Sequence, residues 1–489
     1  MGSNVVPDPL SSQVEFFNVV AGRPRAAKES HKVVDPRTEA DLWDAPTASA
    51  QDLDDAVEAG HAAFRTWGRS TLPERAAVLN AVAKVLYDNE DLLTAILMKE
   101  TGKSRIMAQM EVKRAAFHYE LTMERSYGAT RGRGPVRRRR HPDPRHPRAL
   151  RRHRRHLPLE LPADPVERQG GLGPRDGQLR HHQAVPLHPY AILKFCELAQ
   201  SVLPAPGIFQ ALNGGADVGE RMTLHPGIAH ISFTGTIAVG QRIMANCAST
   251  LKKVILELAG NDAAIVTDDV DLDAVVPKVA LGCLLHAGQM CVASKRVYVH
   301  AARYDDFVAK FRAHLEKTYV ATYDDAEAPS VFGPLSNRPN FERCRGFVED
   351  CRDKGYEVIT VGDGSEAKKK GFWIAPTIVA NPPEDSLVVR EEQFGPVVPI
   401  MKWENEEDVI SRANLDNAGL GASVWCRDFD RARGLARQLE TGTVFINQPP
   451  QPHHAGYFAG QKLSGVGGEL GKQGLLSYCQ TKSLHIGKK

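Results

Sequence analysis

Apolar residues recur at helical spacing through the first quarter of the chain. The run "AQDLDDAVEAGHAAFRTWG", which begins at residue 50, carries Val57 and Phe64 at near-helical spacing, and similar runs follow it. Ser49 and Asp52 stand where the first of these runs needs an N-terminal cap. The pattern therefore predicts a series of amphipathic helices over residues 50–127.

After Pro189 the pattern changes to short apolar runs. A helical run, "YAILKFCELAQSVL", comes first, and further helices are predicted at about 304–319 and near 406–414. The β-rich runs between Gly, Pro or Asp residues are "GIFQALNG", "HISFTG", "AAIVTDD", "KRVYVH", "YEVITVG", "WIAPTIVA", "VVPIMKW", "GASVWC" and "GTVFIN". Strands that alternate with helices are typical of parallel βαβ units. We therefore predict two α/β domains and a doubly wound sheet.

Composition narrows the class of protein without defining an activity. Of 489 residues, 42% are hydrophobic and 25% are charged, as in ordinary globular proteins. No run of about eighteen apolar residues is present, so we expect no membrane span. The eight cysteines are scattered, with neither a CxxC pair nor a metal-like Cys/His spacing. We expect free thiols, no metal site and a reducing, cytoplasmic location.

A glycine-containing turn is the first segment with candidate chemistry. In "HISFTGTIAVGQRI" a predicted strand leads into Gly235 and Thr236, and Gly240 follows at the start of a helix. Glycines let the backbone approach a pyrophosphate, and a helix N-terminus offers it N–H donors. The same spacing also occurs in ordinary strand-to-helix turns. The turn is therefore a candidate phosphate site that needs support from elsewhere.

Two further segments each contain one reactive side chain. Glu257 lies in the apolar run "VILELAGNDAAIV", where burial would suit a carboxyl to general-base catalysis. Cys291 follows a Gly-Gln-Met turn in "LLHAGQMCVASKRVYV", and a thiolate on an accessible loop is a strong nucleophile. Taken alone, the glutamate could equally be edge-exposed or salt-bridged, and the cysteine an inert core residue.

Taken in order, these segments resemble the aldehyde dehydrogenase superfamily. "FTGT…VG", "LELAGND" and "GQMCVASKR" follow the family's order, and Cys291 lies 34 residues after Glu257, as the family shows. "EEQFGPVVP" at 391–399, "ANLDNAGLGASVW" and "YFAGQKLSGVGGELGKQGLLSYCQTK" resemble its later motifs, and "KETGK" resembles an earlier one. The resemblance covers about 33–127 and 189–485.

The resemblance implies that the protein oxidises a small aldehyde to a carboxylic acid with NAD(P). Cys291 would attack the aldehyde carbonyl, a hydride would leave to the nicotinamide, and water activated by Glu257 would hydrolyse the thioester. Glu392 would bind the nicotinamide ribose and Phe394 would pack beside that ring. The residues near the pyrophosphate would be Gly235, Thr236 and Gly240. We expect NAD as the cofactor, with NADP as the alternative.

The resemblance also implies an aldehyde-dehydrogenase-like α/β architecture. A Rossmann-like NAD(P)-binding domain would comprise residues 14–126 and 150–258, and a catalytic domain residues 259–459. Residues 127–149 and 474–489 would form small bridging and oligomerisation segments. We expect a homodimer or homotetramer, without nucleic-acid or membrane partners.

Residues 129–189 depart from the family pattern. They contain 15 Arg, no Lys and 5 acidic residues, a net charge of +10 against +3 for the whole chain. The family's Pro-Trp-Asn-Phe-Pro and Lys-Pro-Ser motifs are replaced by "PLELP" at 158–162 and "QAVPLHP" at 183–189. We predict from this composition that the segment cannot supply the parallel core strand expected there.

A shifted reading frame is our hypothesis for this segment, because its length is about normal. One shift lets the codons for "PLELP" and "QAVPLHP" encode Pro-Trp-Asn-Phe-Pro and Lys-Pro-Ser. In the chain as written, Glu160 would stand where an oxyanion must form, and Gln183 would replace a cofactor-binding lysine. We expect such a chain to fold poorly and to have little activity.

Two alternatives stay open. Twelve Arg residues within 131–155 are compatible with an Arg-rich nucleic-acid-binding protein on an inactive dehydrogenase scaffold. Against this, no aromatic residue is interleaved for base stacking. The chain could also be a catalytically impaired, cofactor-binding member of the family. Salt-dependent binding of nucleic acid would support the first alternative, and turnover of a general aldehyde would exclude the second.

Overall fold

The computed structural model describes residues 10, 14–131, 180–184, 188–320, 330–362, 370–415, 417–480, 483, 485 and 487. Glu160 and the "PLELP" segment lie outside these ranges, and Gln183 is described by its backbone alone. None of the helices within the described ranges is long and apolar enough to cross a bilayer.

A run of four helices follows the N-terminal strands. Ser49 begins the first with a reciprocal cap: its hydroxyl accepts from the Asp52 N–H at 3.2 Å, and the Asp52 carboxylate accepts from the Ser49 N–H at 2.8 Å. Thr71 and Glu74 begin the second helix in the same way. The predicted helical series is confirmed, as α1 Ala50–Trp67, α2 Leu72–Asp88, α3 Glu90–Thr101 and α4 Arg105–Arg131.

The first sheet combines strands from before, within and after the Arg-rich segment at 129–189. Its order is β2-β1-β6-β5, with β1 antiparallel and β5 parallel to the fully buried β6. A separate antiparallel hairpin is formed by β3 and β4. The bounds are β1 Asn18–Val20, β2 Arg23–Arg25, β3 Glu29–Val34, β4 Asp41–Thr47, β5 Arg180–Ala184 and β6 Phe209–Asn213, with helices α5 Tyr190–Ala199 and α6 Ala216–Leu224.

The prediction that residues 129–189 supply no parallel strand is wrong for β5. This strand pairs in register with β6, from Arg180 opposite Phe209 to Ala184 opposite Asn213. Strand pairing uses backbone N–H and C=O groups, and the strand preference of a side chain depends strongly on its neighbours. A buried β6 therefore provides a hydrogen-bonding partner even for a sequence with weak strand character.

A three-stranded sheet of order β18-β8-β7 carries the glycine-containing turn and Glu257. Strands β7 His230–Thr234 and β8 Lys253–Glu257 are parallel and are joined by helix α7 Ile237–Ala248. The short strand β18 Gly465–Val466 returns from the C-terminal part and pairs with β8 in antiparallel fashion. The carboxyl ends of β7 and β8 therefore lie side by side, which is where open α/β sheets bind ligands.

The second half of the chain is built on a seven-stranded sheet of order β11-β12-β13-β10-β9-β15-β16. All neighbours are parallel except the edge pair β11 and β12. Every residue of β9 and β15 is buried, as expected where helices cover both faces of a sheet. Its strands are β9 Asp262–Val266, β10 Ser294–His300, β11 Glu357–Thr360, β12 Thr377–Ala380, β13 Val397–Trp403, β15 Gly421–Trp425 and β16 Thr443–Ile446.

The remaining elements of the second half lie between these strands in the chain or after them. The helices are α8 Leu272–Leu284, α9 Tyr304–Leu315, α10 Arg338–Asp353, α11 Leu387–Arg390, α12 Glu406–Asn414, α13 Phe429–Ala436 and α14 Gly471–Ser477, and β14 Ala418–Gly419 pairs with β17 Gln461–Lys462. The predicted helix at 304–319 is an α-helix as far as Leu315 and continues as a π-helical turn. The strands and helices predicted after Pro189 are thus confirmed.

The end of α3 and the residues that follow it contact both α5 and residues 330–336. The buried Glu100 carboxylate accepts from the N–H groups of Tyr190 and Ala191, at 2.7 and 3.1 Å, and so caps the start of α5. Burial raises the pKa of Glu100 to about 8, against the effect of these two bonds. On the other side, the Ser104 hydroxyl donates to the Ser330 carbonyl. Residues 330–336, which this bond anchors, support the candidate site.

Candidate active site

Cys291 follows a strained turn at the start of β10. His286, Ala287 and Gly288 all have left-handed backbones, with φ of 53°, 54° and 75°. For residues with a side chain this conformation costs free energy and persists only where the surroundings impose it. A Cβ at position 288 would lie 2.5 Å from the Gly395 carbonyl oxygen, so glycine is required for the close approach of the 391–395 loop.

Gln289 holds this turn against residues 330–336. Its buried side-chain amide donates to the carbonyls of His286 and Pro334, at 3.1 and 3.2 Å. Its amide oxygen accepts from the Ser336 N–H at 2.8 Å. These three bonds fix the backbone two residues before Cys291.

The Cys291 side chain is half-buried against an apolar cluster. Val292, Leu420, Phe458 and Leu470 form this cluster. All eight cysteines are free thiols; six are buried, and Cys291 and Cys479 are the two that are partly exposed. A partly exposed thiol on a turn is accessible to an electrophile, whereas a buried one is not.

Glu257 ends strand β8 with its side chain buried. It pairs with Thr234 of β7, and its carbonyl accepts from the Gly235 N–H at 3.1 Å. Tyr457 lies close to the Glu257 carboxylate: burial raises the pKa of this tyrosine, and the negative charge of Glu257 raises it further. The candidate base therefore sits at the ligand-binding end of its sheet, beside the glycine turn.

Gly260 connects the candidate base with the candidate nucleophile. A Cβ at position 260 would lie 2.7 Å from the Cys291 carbonyl oxygen and 2.6 Å from an Asp262 carboxylate oxygen. The chain can therefore run directly from Glu257 past the backbone of Cys291 only because residue 260 has no side chain. The structure brings the two predicted catalytic segments into contact at this point.

The predicted phosphate turn lies beside the same end of the sheet. Thr236 caps helix α7, and its hydroxyl accepts from the Val239 N–H at 3.5 Å. Gly235 and Thr236 are exposed, whereas Gly240 is buried where a Cβ would lie 2.6 Å from the Leu258 side chain. An open helix N-terminus with a glycine at the close packing contact fits the pyrophosphate of a dinucleotide.

Glu392 and Phe394 meet the nucleophile turn at Lys295. The Lys295 ammonium lies 3.0 Å from a Glu392 carboxylate oxygen and 5.8 Å from the centre of the Phe394 ring. It also donates to the carbonyls of Met290, at 2.7 Å, and Cys291, at 3.0 Å. The predicted cofactor residues of the 391–395 loop are thus placed directly against the turn that carries Cys291.

A second carboxyl, Asp262, is enclosed beside Lys295. It is 3% exposed, and Cβ atoms at Gly260 and Gly421 would lie 2.6 and 2.5 Å from its two oxygens. Burial raises the pKa of Asp262 to about 8, and the charge of Glu392 acts in the same direction. The ammonium of Lys295 and the backbone N–H of Gly421 oppose this shift. At neutral pH this carboxyl is therefore mainly protonated.

Sequence reasoning did not assign a role to Lys295 or Asp262. Both residues nevertheless lie within motifs that carry the family resemblance, Lys295 in "GQMCVASKR" and Asp262 in "LELAGND". The available signal was their type, because lysine and aspartate are seldom buried in a strand without a partner.

Comparison with known proteins agrees with the family resemblance found in the sequence, and it does so over most of the chain. The model of the aldehyde dehydrogenase family matches residues 23–140 and 182–484. Among curated relatives, "Aldehyde dehydrogenase LUC3" of Fusarium sp is 35% identical over 97% of this chain and 99% of its own. The NADP(+) succinate-semialdehyde dehydrogenase GabD of Escherichia coli (strain K12) is 31% identical over 94% of this chain and 95% of its own.

Solved structures of aldehyde dehydrogenases have the same fold as this chain. An aldehyde dehydrogenase from Bacillus cereus in its NAD+ complex has a TM-score of 0.86 and 26% identity, and the match covers 97% of each chain. This likeness confirms the predicted α/β fold class. The comparisons do not support the reading-frame hypothesis, because the relatives align over nearly the whole chain as written.

We expect Gly260→Ala to lower aldehyde oxidation by at least about tenfold, because the added methyl group pushes the Glu257 segment away from Cys291. Gly434→Ala is the matched control, since a Cβ there meets nothing within 4 Å. Initial rates and thermal midpoints of both variants would be compared with those of the native chain. Full activity in Gly260→Ala would show that this contact does not set the site geometry.

We expect Asp262→Asn to become more stable relative to the native chain as pH rises. The folded pKa of about 8 lies above the ordinary 3.8, so the protonated carboxyl stabilises the fold at low pH and this contribution is lost as pH rises towards 8. Glu100 has a similar pKa but is present in both proteins, so its effect cancels. Unfolding measured between about pH 5 and pH 9 should reveal a change of about 4 kcal/mol in the difference. A difference that is independent of pH would contradict the assignment.

Proposed function

We propose a catalytic route for this chain, which belongs to the aldehyde dehydrogenase family and is an NAD(P)-dependent oxidoreductase that converts aldehydes to carboxylic acids. In this route Cys291 is the nucleophile and Glu257 is the general base. The observation that supports the pairing most directly is the close passage of the Glu257 segment, at Gly260, over the Cys291 carbonyl.

The first step forms a bond between sulfur and carbon. The Cys291 thiolate attacks the carbonyl carbon of the aldehyde, and the resulting thiohemiacetal stays attached to the enzyme. The partly exposed sulfur provides access, while Phe458 and its apolar neighbours exclude water from one side of it. The strained turn holds the sulfur in place before the substrate arrives, which lowers the entropic cost of the attack.

Oxidation depends on how this chain holds its cofactor. When bound, NAD(P)+ supplies the acceptor for the hydride that leaves the carbon attached to sulfur. We assign the pyrophosphate to the N-terminus of α7, at Gly235, Thr236 and Gly240, where the positive end of the helix dipole favours negative charge and the turn at Gly235 and Thr236 is exposed. We assign Glu392 to the nicotinamide ribose and Phe394 to the side of the nicotinamide ring, since both adjoin the Cys291 turn through Lys295.

The last step releases the acid. Glu257 accepts a proton from water, the water oxygen attacks the thioester carbon, and the carbon–sulfur bond breaks to return the Cys291 thiolate. The buried position of Glu257 suits this role because it limits the access of bulk water to the carboxylate. The proton then passes from Glu257 to solvent, so that the enzyme is restored.

The finer assignments are also proposals. We divide the chain after residue 258, because β8 ends at Glu257 in one sheet and β9 begins at Asp262 in another. Residues 14–126 and 150–258 would bind the cofactor, residues 259–459 would carry catalysis, and residues 127–149 and 474–489 would bridge the subunits of a homodimer or homotetramer. We propose NAD over NADP, and the eight free thiols support a cytoplasmic location.

Replacing the nucleophile tests the route first. We expect Cys291→Ser to lower aldehyde oxidation by at least about a thousandfold, because a hydroxyl is a far weaker nucleophile than a thiolate. Cys479→Ser is the control, since it removes the other partly exposed thiol. Formation of NADH would be followed with a general aldehyde in excess. Appreciable turnover by the Cys291→Ser enzyme would refute the assignment.

Replacing the base should separate the two halves of the reaction. We expect Glu257→Gln to give one burst of NADH followed by turnover slower by at least about a hundredfold, because the thioester forms but water is not activated. Mass spectrometry of the quenched enzyme should find the acyl group on the peptide that contains Cys291. Steady turnover at the native rate, without an acylated peptide, would exclude Glu257 as the base.

A further inference from the structure

Lys295 is a buried cation attached to the nucleophile turn. Its side chain is 2% exposed, and its ammonium donates to the carbonyls of Met290 and Cys291, at 2.7 and 3.0 Å. An ammonium has three N–H donors, so these bonds occupy two of them. The backbone on both sides of the Met290–Cys291 peptide is thereby tied to one side chain.

The ammonium also lies against the cofactor loop. Glu392 places a carboxylate oxygen 3.0 Å from it, and this carboxylate is 15% exposed, so one side of it is open to a ligand. Burying an ammonium without a counter-charge is strongly unfavourable, because the charge loses its hydration. Asp262 contributes little negative charge at neutral pH because its pKa is about 8. Glu392 is therefore the anion that neutralises Lys295.

The neighbouring cation cannot take over this role. The Arg296 guanidinium is committed to the opposite side of β10, where it donates to the carbonyls of Asn261, Arg412 and Ala413 at 2.8, 3.2 and 2.9 Å. Lys295 is thus the link between the Cys291 turn and the Glu392 carboxylate.

We propose that Lys295 is a positioning residue that couples cofactor binding at Glu392 to the placement of Cys291. This inference rests on the proposed roles of these two residues. A ribose that binds to the Glu392 carboxylate weakens the attraction of that carboxylate for the Lys295 ammonium. The hydrogen bonds from Lys295 to the Met290 and Cys291 carbonyls change as a result. Because such coupling is reciprocal, loss of the ammonium weakens cofactor binding and disturbs the thiol together.

A purely structural role would have a different signature, and Lys252 provides the matched control. It is also buried, and its ammonium also donates to two carbonyls, those of His225 and Ile228, both at 2.7 Å. It precedes β8, at the far end from Glu257, about 16 Å away along the strand. Lys252→Met therefore removes a similar buried ammonium without touching the proposed site.

The experiment compares Lys295→Met, Lys295→Arg and Lys252→Met in the full-length protein. Alkylation of Cys291 by iodoacetamide without cofactor would be followed by peptide mass spectrometry, with Cys479 in the same sample as internal reference. NAD affinity would be measured separately by calorimetry. We expect Lys295→Met to slow Cys291 alkylation and to raise the Kd for NAD, each by about tenfold. Lys295→Arg should restore most of both, and Lys252→Met should change neither.

A charge variant keeps the test decisive if Lys295→Met folds poorly. Glu392→Gln preserves the shape of the loop and removes the anion, so it should also slow Cys291 alkylation in the absence of cofactor. If the two residues acted independently, the rate of Cys291 alkylation in the double variant with Lys295→Met would fall by the product of the two single effects. We expect the observed decrease to be smaller than this product by at least about threefold. Additive effects, or native alkylation in Glu392→Gln, would overturn the proposed coupling.

These readouts are independent of the proposed reaction route. Alkylation and NAD binding require no turnover, so a failure of the Lys295 coupling leaves the Cys291→Ser result untouched. Conversely, turnover by Cys291→Ser would refute the nucleophile assignment even if Lys295 affected alkylation as expected. An effect of Lys252→Met equal to that of Lys295→Met would show that loss of any buried ammonium suffices, and would overturn the inference.

Discussion

The close approach of Gly260 to the Cys291 carbonyl is the contact on which the rest of the site depends. Strand β8 belongs to the sheet that carries the glycine turn, and β9 begins five residues after Glu257 in the sheet that carries the nucleophile. Because this connection is short, the backbone has little freedom between Glu257 and β9. The distance between the Glu257 and Cys291 backbones is therefore set by the packing of the two segments at Gly260. A carboxyl and a thiol held on two rigid sheets are suited to acting in sequence on one bound carbonyl.

The second constraint is electrostatic. A lysine, a glutamate and an aspartate are gathered in a largely buried volume, and their combined burial costs free energy unless the charges balance. The structure achieves this with one cation and one anion, Lys295 and Glu392, while burial keeps Asp262 mainly protonated. The neutralised ammonium donates two hydrogen bonds to backbone carbonyls, those of Met290 and Cys291. The contacts of Lys295 therefore both neutralise the buried charges and hold the Cys291 turn against the 391–395 loop.

The sequence pattern was sufficient for the helices over residues 50–127 and for the strands and helices predicted after Pro189, because alternating and helical spacings reflect burial directly. It failed at β5, whose five residues pair through the backbone with a buried neighbour, a property that side-chain patterns do not encode. The same limit applies to Lys295. Its role arises from the loop at 391–395, about a hundred residues later in the chain, and only tertiary packing brings the two together.

The supports of the nucleophile bear on the alternative of an impaired enzyme. The strained turn at His286 is held by the Val331 carbonyl, which accepts its N–H at 2.9 Å, by the three bonds of Gln289, and by the packing of Gly288 on Gly395. Every one of these residues lies in the part of the chain that follows the Arg-rich segment and that the family model matches. An unusual sequence at 129–189 therefore leaves the immediate mechanical supports of Cys291 in place. A catalytic defect caused by that sequence would therefore act through the cofactor or the oxyanion rather than through these supports.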